Sequence, residues 1–261
     1  MLRRGFLLGL SSVVLALAGC AKESPPRALL YRLTITVDTP EGQKVGSSVA
    51  RLWVGFGDGP LGGMGAPIFF NVKGAATVVD LGPRGYLLCL LGRDERRRGS
   101  PDQEGLLVQF TVGPLLDRTP DRNMKMPQAI DAVVEARPKV SIPLASLPAL
   151  VRFRDPNQPS TAEWIDPAHL DAAFGPGVAI ARVDYEILGK PPMKPGAKLT
   201  DEIEVPEITA SVARLQAVIP WIKLPREKIA EMVKGSDLEP MTKNHKYGRS
   251  ITKDSYIRGP Q

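Results

Sequence analysis

The sequence lacks the residue patterns by which most catalytic and metal sites are recognised. It contains two histidines, and neither stands in an H-E-x-x-H motif or a cysteine and histidine cluster, so a zinc site has no support. No G-x-S-x-G sequence marks a nucleophilic serine. The acidic residues are scattered, so a pair of carboxylates that meets only in the fold would leave no motif. The sequence therefore assigns no catalytic, cofactor-binding or metal-binding residue.

Long apolar runs and an excess of one charge are also scarce. Only the N-terminal region carries a long apolar run, so no other segment is expected to cross a membrane. The chain has 34 Lys and Arg against 28 Asp and Glu, a net charge of +6 that permits contact with anionic surfaces without requiring it. A hydrophobic fraction of 43% indicates a packed globular body, and 25 glycines and 25 prolines favour short strands and turns over long helices.

The first 20 residues have the order of an export signal. Arg3 and Arg4 give a positive start, and an apolar run of about a dozen residues follows, too short to span a hydrocarbon core of about 30 Å. The run ends in the sequence Leu17-Ala18-Gly19-Cys20. This segment resembles the lipobox signal peptide of bacterial lipoproteins.

The resemblance implies a lipid anchor at Cys20. The Cys20 thiol would be diacylated, the chain cleaved between Gly19 and Cys20, and the new amino group acylated. Several acyl chains hold a protein on a membrane because each buried CH₂ contributes about 0.8 kcal/mol. Ala21 follows Cys20, which in a host with two membranes implies the outer membrane, facing the periplasm. An exported envelope protein is not expected to bind nucleic acid.

Cys89 lies in a continuous apolar stretch and would have no cysteine partner if Cys20 is acylated. We expect a buried thiol and a fold held by its core. The predicted organisation is a signal peptide over 1–19, a tether over 20–28, a β-rich region over 29–153, and an α/β region with a basic tail over 154–261. Residues 190–202 are rich in proline and suit either a linker or a surface loop.

The pattern of apolar residues predicts an α+β fold, with mainly antiparallel sheet in the N-terminal half and a few short helices in the C-terminal half. Alternation and short apolar runs predict strands over 30–38, 47–56, 68–72, 76–81, 86–91 and 178–188, with a further candidate strand over 106–112. Helical spacing, capping residues and proline or glycine stops predict helices over 128–137, 166–175, 211–219 and 225–234.

Two short motifs match nucleotide and acyl-enzyme patterns but lack their context. Gly57–Gly62 fits G-x-G-x-x-G, with Asp80 further on, yet a β-like segment follows where a phosphate-binding helix is needed. We interpret it as a loop between strands, or alternatively as a lid over a small ligand. Ser250-Ile251-Thr252-Lys253 fits S-x-x-K, but no Lys-Thr-Gly sequence follows it.

Basic side chains concentrate in one turn-rich segment and in the C-terminal tail. They are candidates for contact with phosphate, lipid headgroups or cell-wall polymer, because arginine binds planar oxyanions well. The alternative is a solvated loop and an exposed terminus. The candidate residues are Arg93, Arg96, Arg97, Arg98, Lys243, Lys246 and Arg249.

Two functions remain open from the sequence. The first is a non-enzymatic envelope lipoprotein that binds the membrane through Cys20 and contacts envelope protein, anionic lipid or cell-wall polymer, without a cofactor. The second is an envelope hydrolase whose acids meet His169 or His245 only in the fold. Residues 151–156 and 166–187 also resemble uncharacterised bacterial proteins, a resemblance that implies no activity.

Overall fold

The computed structural model describes residues 26–56, 68–94, 96, 97, 99–118, 126–192, 204–234, 257 and 258. These residues form two antiparallel sheets and several helices, which confirms the α+β class. The strands are β1 Arg27–Asp38, β2 Lys44–Phe56, β3 Ile68–Ala75, β4 Thr77–Asp80, β5 Tyr86–Cys89, β6 Lys139–Ser141, β7 Leu150–Phe153, β8 Ala162–Ile165, β9 Ala179–Gly189 and β10 Ile257–Arg258. The helices are α1 Gln103–Leu107, α2 Gly113–Arg118, α3 Met126–Ala136, α4 Leu170–Phe174, α5 Pro206–Val218 and α6 Arg226–Met232.

The larger sheet has six strands in the order β10-β3-β2-β1-β9-β6, and the smaller has four in the order β4-β5-β7-β8. β1 and β2 form the predicted hairpin, with Arg27 opposite Val54 and Val37 opposite Lys44. Leu33 and Ile35 alternate with half-buried threonines because only one face of β1 meets the main core. None of the described helices is long and apolar enough to cross a membrane.

β2 of the larger sheet lies against β4 of the smaller one beside Ala76, where the chain passes from β3 to β4. Gly46 of β2 lies there, and a Cβ atom on it would stand 2.1 Å from the carbonyl oxygen of Val78. Any side chain at this position would push β2 and β4 apart, so the glycine permits the contact. The main core lies between the sheets and is closed by α3, which contributes Ile130 and Val133.

The smaller sheet is covered on both faces. Leu87 and Cys89 face the main core, while Leu88 and Leu90 face a second core that includes Leu215 of α5. This double burial explains why the segment is a continuous apolar run rather than an alternating one. Cys89 is buried as predicted, and burial raises the pKa of its thiol to about 12, which makes it unreactive at neutral pH.

Two details of the predicted elements are wrong. Residues 106–112 form helix rather than a strand: α1 continues into a π-helical segment, Val108–Val112, and then into α2. Asp102 begins this helix, since its side chain accepts a hydrogen bond from the Gly105 N–H at 2.7 Å. Helix α4 begins only at Leu170, because Asp166 caps a separate turn through the Ala168 N–H at 2.9 Å.

The structure also bears on the expected boundaries of the regions. β1 begins at Arg27, within the segment expected to be tether. Phe153 and Ala162, on either side of the expected boundary at 153/154, are paired neighbours in β7 and β8. The larger sheet likewise joins β9 to β1. The described strands on the two sides of that boundary therefore share both sheets.

Candidate functional site

The arginine-rich loop is organised around one enclosed carboxylate, Asp94. The Asp94 side chain is fully buried and receives the Arg96 guanidinium through bonds of 3.1 Å to each of its two oxygens. Arg97 Nε donates to the same carboxylate at 3.0 Å. Burial acts to raise the pKa of the Asp94 carboxyl, but the hydrogen bonds from Arg96 and Arg97 outweigh it, so its pKa lies below the usual range. The carboxylate is therefore ionised at neutral pH.

The same loop is fastened to a distant segment. Arg97 also donates to the carbonyl oxygens of Leu147 and Pro148, the latter at 3.1 Å. Ser100 Oγ adds a bond of 2.8 Å to the Leu147 carbonyl and accepts from the Asp94 N–H at 3.1 Å. The Arg96 guanidinium stacks over the Trp164 ring at 4.3 Å. This set of contacts, the Asp94 clamp, joins residues 94–100 to residues 147, 148 and 164.

The Asp94 clamp limits which predicted arginines are available to a partner. Arg97 directs its donors into the protein, and the side chain of Arg96 is about half exposed while bound to Asp94. Arg93 is exposed. Contact between this loop and an anionic surface stays a prediction, and Arg93 and Arg96 are the exposed arginines among the described residues of the loop.

A second polar group lies inside the main core. Tyr31 of β1 and Tyr185 of β9 stack with ring centroids 4.9 Å apart. The Tyr31 hydroxyl donates to Gln103 Oε1 at 2.7 Å, and Gln103 Nε2 donates to the Leu90 carbonyl at 3.1 Å. The Tyr185 hydroxyl is buried and has no hydrogen-bond partner among the described residues. We call Tyr31, Tyr185, Gln103 and the buried Glu104 the tyrosine cluster.

The tyrosine cluster adjoins the π-helical segment between α1 and α2. Here the Gly113 N–H bonds to the Val108 carbonyl, one residue further than in an α-helix, and a Cβ on Gly113 would lie 2.7 Å from that oxygen. Burial raises the pKa of Tyr185 well above its usual value, and the nearby Tyr31 and Glu104 raise it further. A tyrosine of this kind stays protonated and does not act as a base at neutral pH.

Exposed apolar side chains gather at one end of the larger sheet. Phe69 is 53% exposed and Ile68 is 38% exposed, at the start of β3. The Trp53 indole lies over Gly55, whose Cβ would stand 2.4 Å from the ring. We use the name aromatic end for the two exposed residues and their half-buried neighbours, of which Phe56 and Phe70 pack against the main core; its members are Trp53, Phe56, Ile68, Phe69 and Phe70.

The residues considered for chemistry are not brought together. His169 is exposed, and its imidazole forms no hydrogen bond or ion pair with a described residue. The Asp80 carboxylate accepts from the Gly82 N–H at 2.8 Å and so closes a turn. β2 and β3 are adjacent antiparallel strands, whereas the strands of a dinucleotide-binding βαβ unit are parallel and joined through a helix. In the described part of the chain no three His, Cys, Asp or Glu side chains are placed to hold a metal ion.

Several predicted positions lie outside the described residues. These include the cysteine predicted to be acylated, the glycine-rich motif, one arginine of the loop, the second histidine, the S-x-x-K motif and the basic tail. They are Cys20, Gly57–Gly62, Arg98, Lys243, His245, Lys246, Arg249 and Ser250–Lys253.

The fold defines the protein's class as an α+β domain with two packed antiparallel sheets. Comparisons with protein-family models, with curated proteins and with solved structures each found no match to this chain.

Proposed function

We propose that this chain is an exported lipoprotein of the cell envelope, held on a membrane by acyl chains at Cys20. The observation that carries the proposal is the order of residues 1–20: two arginines, a short apolar run, two small residues and the cysteine. The body has a non-enzymatic role as a binding or structural component. In a host with two membranes it would lie on the outer membrane, facing the periplasm, because Ala21 follows Cys20.

The way the body begins supports this arrangement. Only the five residues 21–25 separate Cys20 from Pro26, where the described body starts. The next element, β1, is hydrogen-bonded to β2 on one side and to β9 on the other. Arg27 at its start also binds Asp131 of α3 through bonds of 2.9 to 3.1 Å. An anchor at Cys20 would thus attach to an interior strand rather than to a loosely held one.

The binding role is proposed for the exposed surfaces of the body. Of the predicted anionic contact, Arg93, Arg96 and Arg97 are described, and Arg93 and Arg96 are the exposed ones, which would reach lipid headgroups or cell-wall polymer. Envelope proteins are the other expected partners.

Incorporation of radiolabelled palmitate tests the anchor directly. The wild type should take up label, and Cys20→Ser should not, because serine offers no thiol for acylation. Cys89→Ala is the matched control: it removes the other cysteine, which is buried, and should leave labelling unchanged. Equal labelling of wild type and Cys20→Ser, or labelling of neither, would overturn the proposal.

A further inference from the structure

The aromatic end exposes apolar side chains beside others that pack into the core. Three of the chain's seven phenylalanines lie in it, and of these Phe69 is exposed while Phe56 and Phe70 pack against the main core. The large hydrophobic side chains that are exposed in the described part of the chain are Val45, Ile68, Phe69 and Met232, and two of these four are neighbours here. Ile68 and Phe69 are consecutive in β3 and point to opposite faces, so apolar side chains are exposed on both sides of this end of the sheet, which indicates a contact surface.

Among the described helices, α5 packs on the neighbouring part of this sheet and does not cover the aromatic end. Ser211 of α5 accepts a hydrogen bond from the Val49 N–H at 3.1 Å, and Arg214 donates to the Ser47 carbonyl at 2.8 Å. The helix therefore covers the middle of the sheet's outer face, the face turned away from the main core. Phe69 lies on the same outer face, opposite Gly55, beyond the rows that bind α5.

The strand register places the aromatic end beside the start of β1. Arg27 is opposite Val54, and Val54 is opposite Phe70 on the next strand. Adjacent strands are about 4.8 Å apart, so Phe70 stands about 10 Å to the side of Arg27. The start of β1, where the chain arrives from Cys20, therefore lies at the same end of the sheet as Phe70 and the exposed Phe69 beside it.

The length of the intervening chain fixes how far this end can be from the acyl chains. Cys20 and Arg27 are seven residues apart, which is about 25 Å when fully extended. Val45, at the opposite end of β2, lies ten residues before Gly55, or about 33 Å further along the sheet. The aromatic end therefore lies within reach of the extended tether, and the Val45 end lies farther from the anchor than the tether is long when the strands stand upright on the membrane.

We infer that the aromatic end docks on the lipid bilayer that holds the acyl chains of Cys20. The inference rests on the proposed lipid anchor and adds an orientation to it. Phenylalanine and isoleucine suit this position, because they bury apolar area at the acyl boundary. Phe69 and Ile68 enter the interface, and the Val45 end of the sheet points away from the membrane.

Site-specific fluorescence quenching tests the orientation. Phe69→Cys, Asn71→Cys and Val45→Cys are made separately in the full-length lipidated protein, and each is labelled with a thiol-reactive fluorophore. The introduced thiol takes the label because Cys89 is buried and Cys20 is acylated. Asn71 is exposed on the same outer face two residues after Phe69, so it gives an intermediate position. Val45 is the matched control, since it is an exposed apolar residue at the far end.

Each protein is reconstituted into vesicles of phosphatidylethanolamine and phosphatidylglycerol that carry a nitroxide on the upper acyl chain. Quenching should fall in the order 69, 71, 45, with at least a twofold difference between the first and the last. Thermal unfolding of the labelled proteins should match the wild type, which excludes a misfolded variant as the cause. Equal quenching at 69 and 45 would overturn the inference, because it would mean that the tether leaves the body without a fixed orientation.

Flotation of the same samples on a density gradient separates the two proposals. If the protein floats with the vesicles but quenching is equal at the two positions, the proposed anchor stands and the proposed orientation is overturned. Protein that fails to float in every version, wild type included, overturns the anchor and the orientation with it.

Discussion

Asp94 and Tyr185 are both buried polar side chains, but they differ in their hydrogen bonding. Asp94 receives both arginine side chains of its own turn and keeps its charge. Tyr185 buries a neutral hydroxyl with no described partner and relies on the packing of its ring against Tyr31. An ionised carboxylate inside a protein is tolerated only when it is paired, whereas a phenol offsets an unpaired hydroxyl by the area of its ring.

The two groups also differ in how the chain assembles them. The arginines that bind Asp94 follow it within three residues, and the contacts with Leu147, Pro148 and Trp164 are the distant ones. Tyr31 and Gln103 are 72 residues apart, and Tyr185 comes from a third region of the sequence. Substitutions in the two groups can show whether this difference in hydrogen bonding leads to a difference in the free energy of unfolding.

Asp94→Asn should give the largest loss. Asparagine keeps the shape but removes the charge that holds Arg96 and Arg97, and a buried pair broken on one side is strongly destabilising. We expect the free energy of unfolding in urea to fall by roughly 2–3 kcal/mol, below the full buried value because Arg96 is half exposed. Asp166→Asn is the control, since Asp166 is exposed and caps a similar turn. Equal losses for the two variants would contradict an ionic role for Asp94.

The contribution of Asp94 should depend on pH. Because the pKa of the folded carboxyl lies below its usual range, the stability it provides is fully present above that range and is lost as pH falls through the folded pKa. The difference in unfolding free energy between wild type and Asp94→Asn should be constant from pH 6 to 8 and shrink below about pH 4. A difference that persists unchanged at pH 3 would assign the effect to shape rather than charge.

The local patterns of the sequence predicted most of the strands, because one face of each long strand meets the main core. Leu33 and Ile35 alternate with polar residues for this reason, and the hairpin of β1 and β2 follows from the turn between them. Residues 106–112 were ambiguous, since a short apolar run fits a buried strand or a buried helix equally well. Asp102 is the N-cap of this helix, and it could have been recognised in the sequence as a helix start before the apolar run.

The candidate surfaces were less predictable. The arginine-rich segment is visible in the sequence, but the carbonyl groups of Leu147 and Pro148 that bind Arg97 belong to a segment about 50 residues away. The aromatic end likewise depends on the register that sets Phe69 and Phe70 beside the start of β1. Periodicity within one strand contains no information about which strand will be its neighbour.

Tyr31→Phe should give an intermediate loss. The substitution keeps the ring and its stacking on Tyr185 but leaves Gln103 Oε1 buried without the hydroxyl that now donates to it. We expect the free energy of unfolding to fall by roughly 1–2 kcal/mol, the usual penalty for an unsatisfied buried acceptor. Urea unfolding at neutral pH measures it. An unchanged stability would mean that Gln103 finds another donor, and the tyrosine cluster would then not be a specific hydrogen-bonded group.

Tyr185→Phe should give the smallest effect, and it is the matched partner of the preceding substitution because it removes the same atom from the other ring of the stacked pair. The Tyr185 hydroxyl has no described partner, so its removal breaks no bond between protein groups and relieves the burial of an unpaired polar atom. We expect the free energy of unfolding to change by less than about 0.5 kcal/mol or to rise. A loss as large as that of Tyr31→Phe would show that the Tyr185 hydroxyl is bonded in solution, and the contrast between a satisfied Asp94 and an unsatisfied Tyr185 would no longer hold.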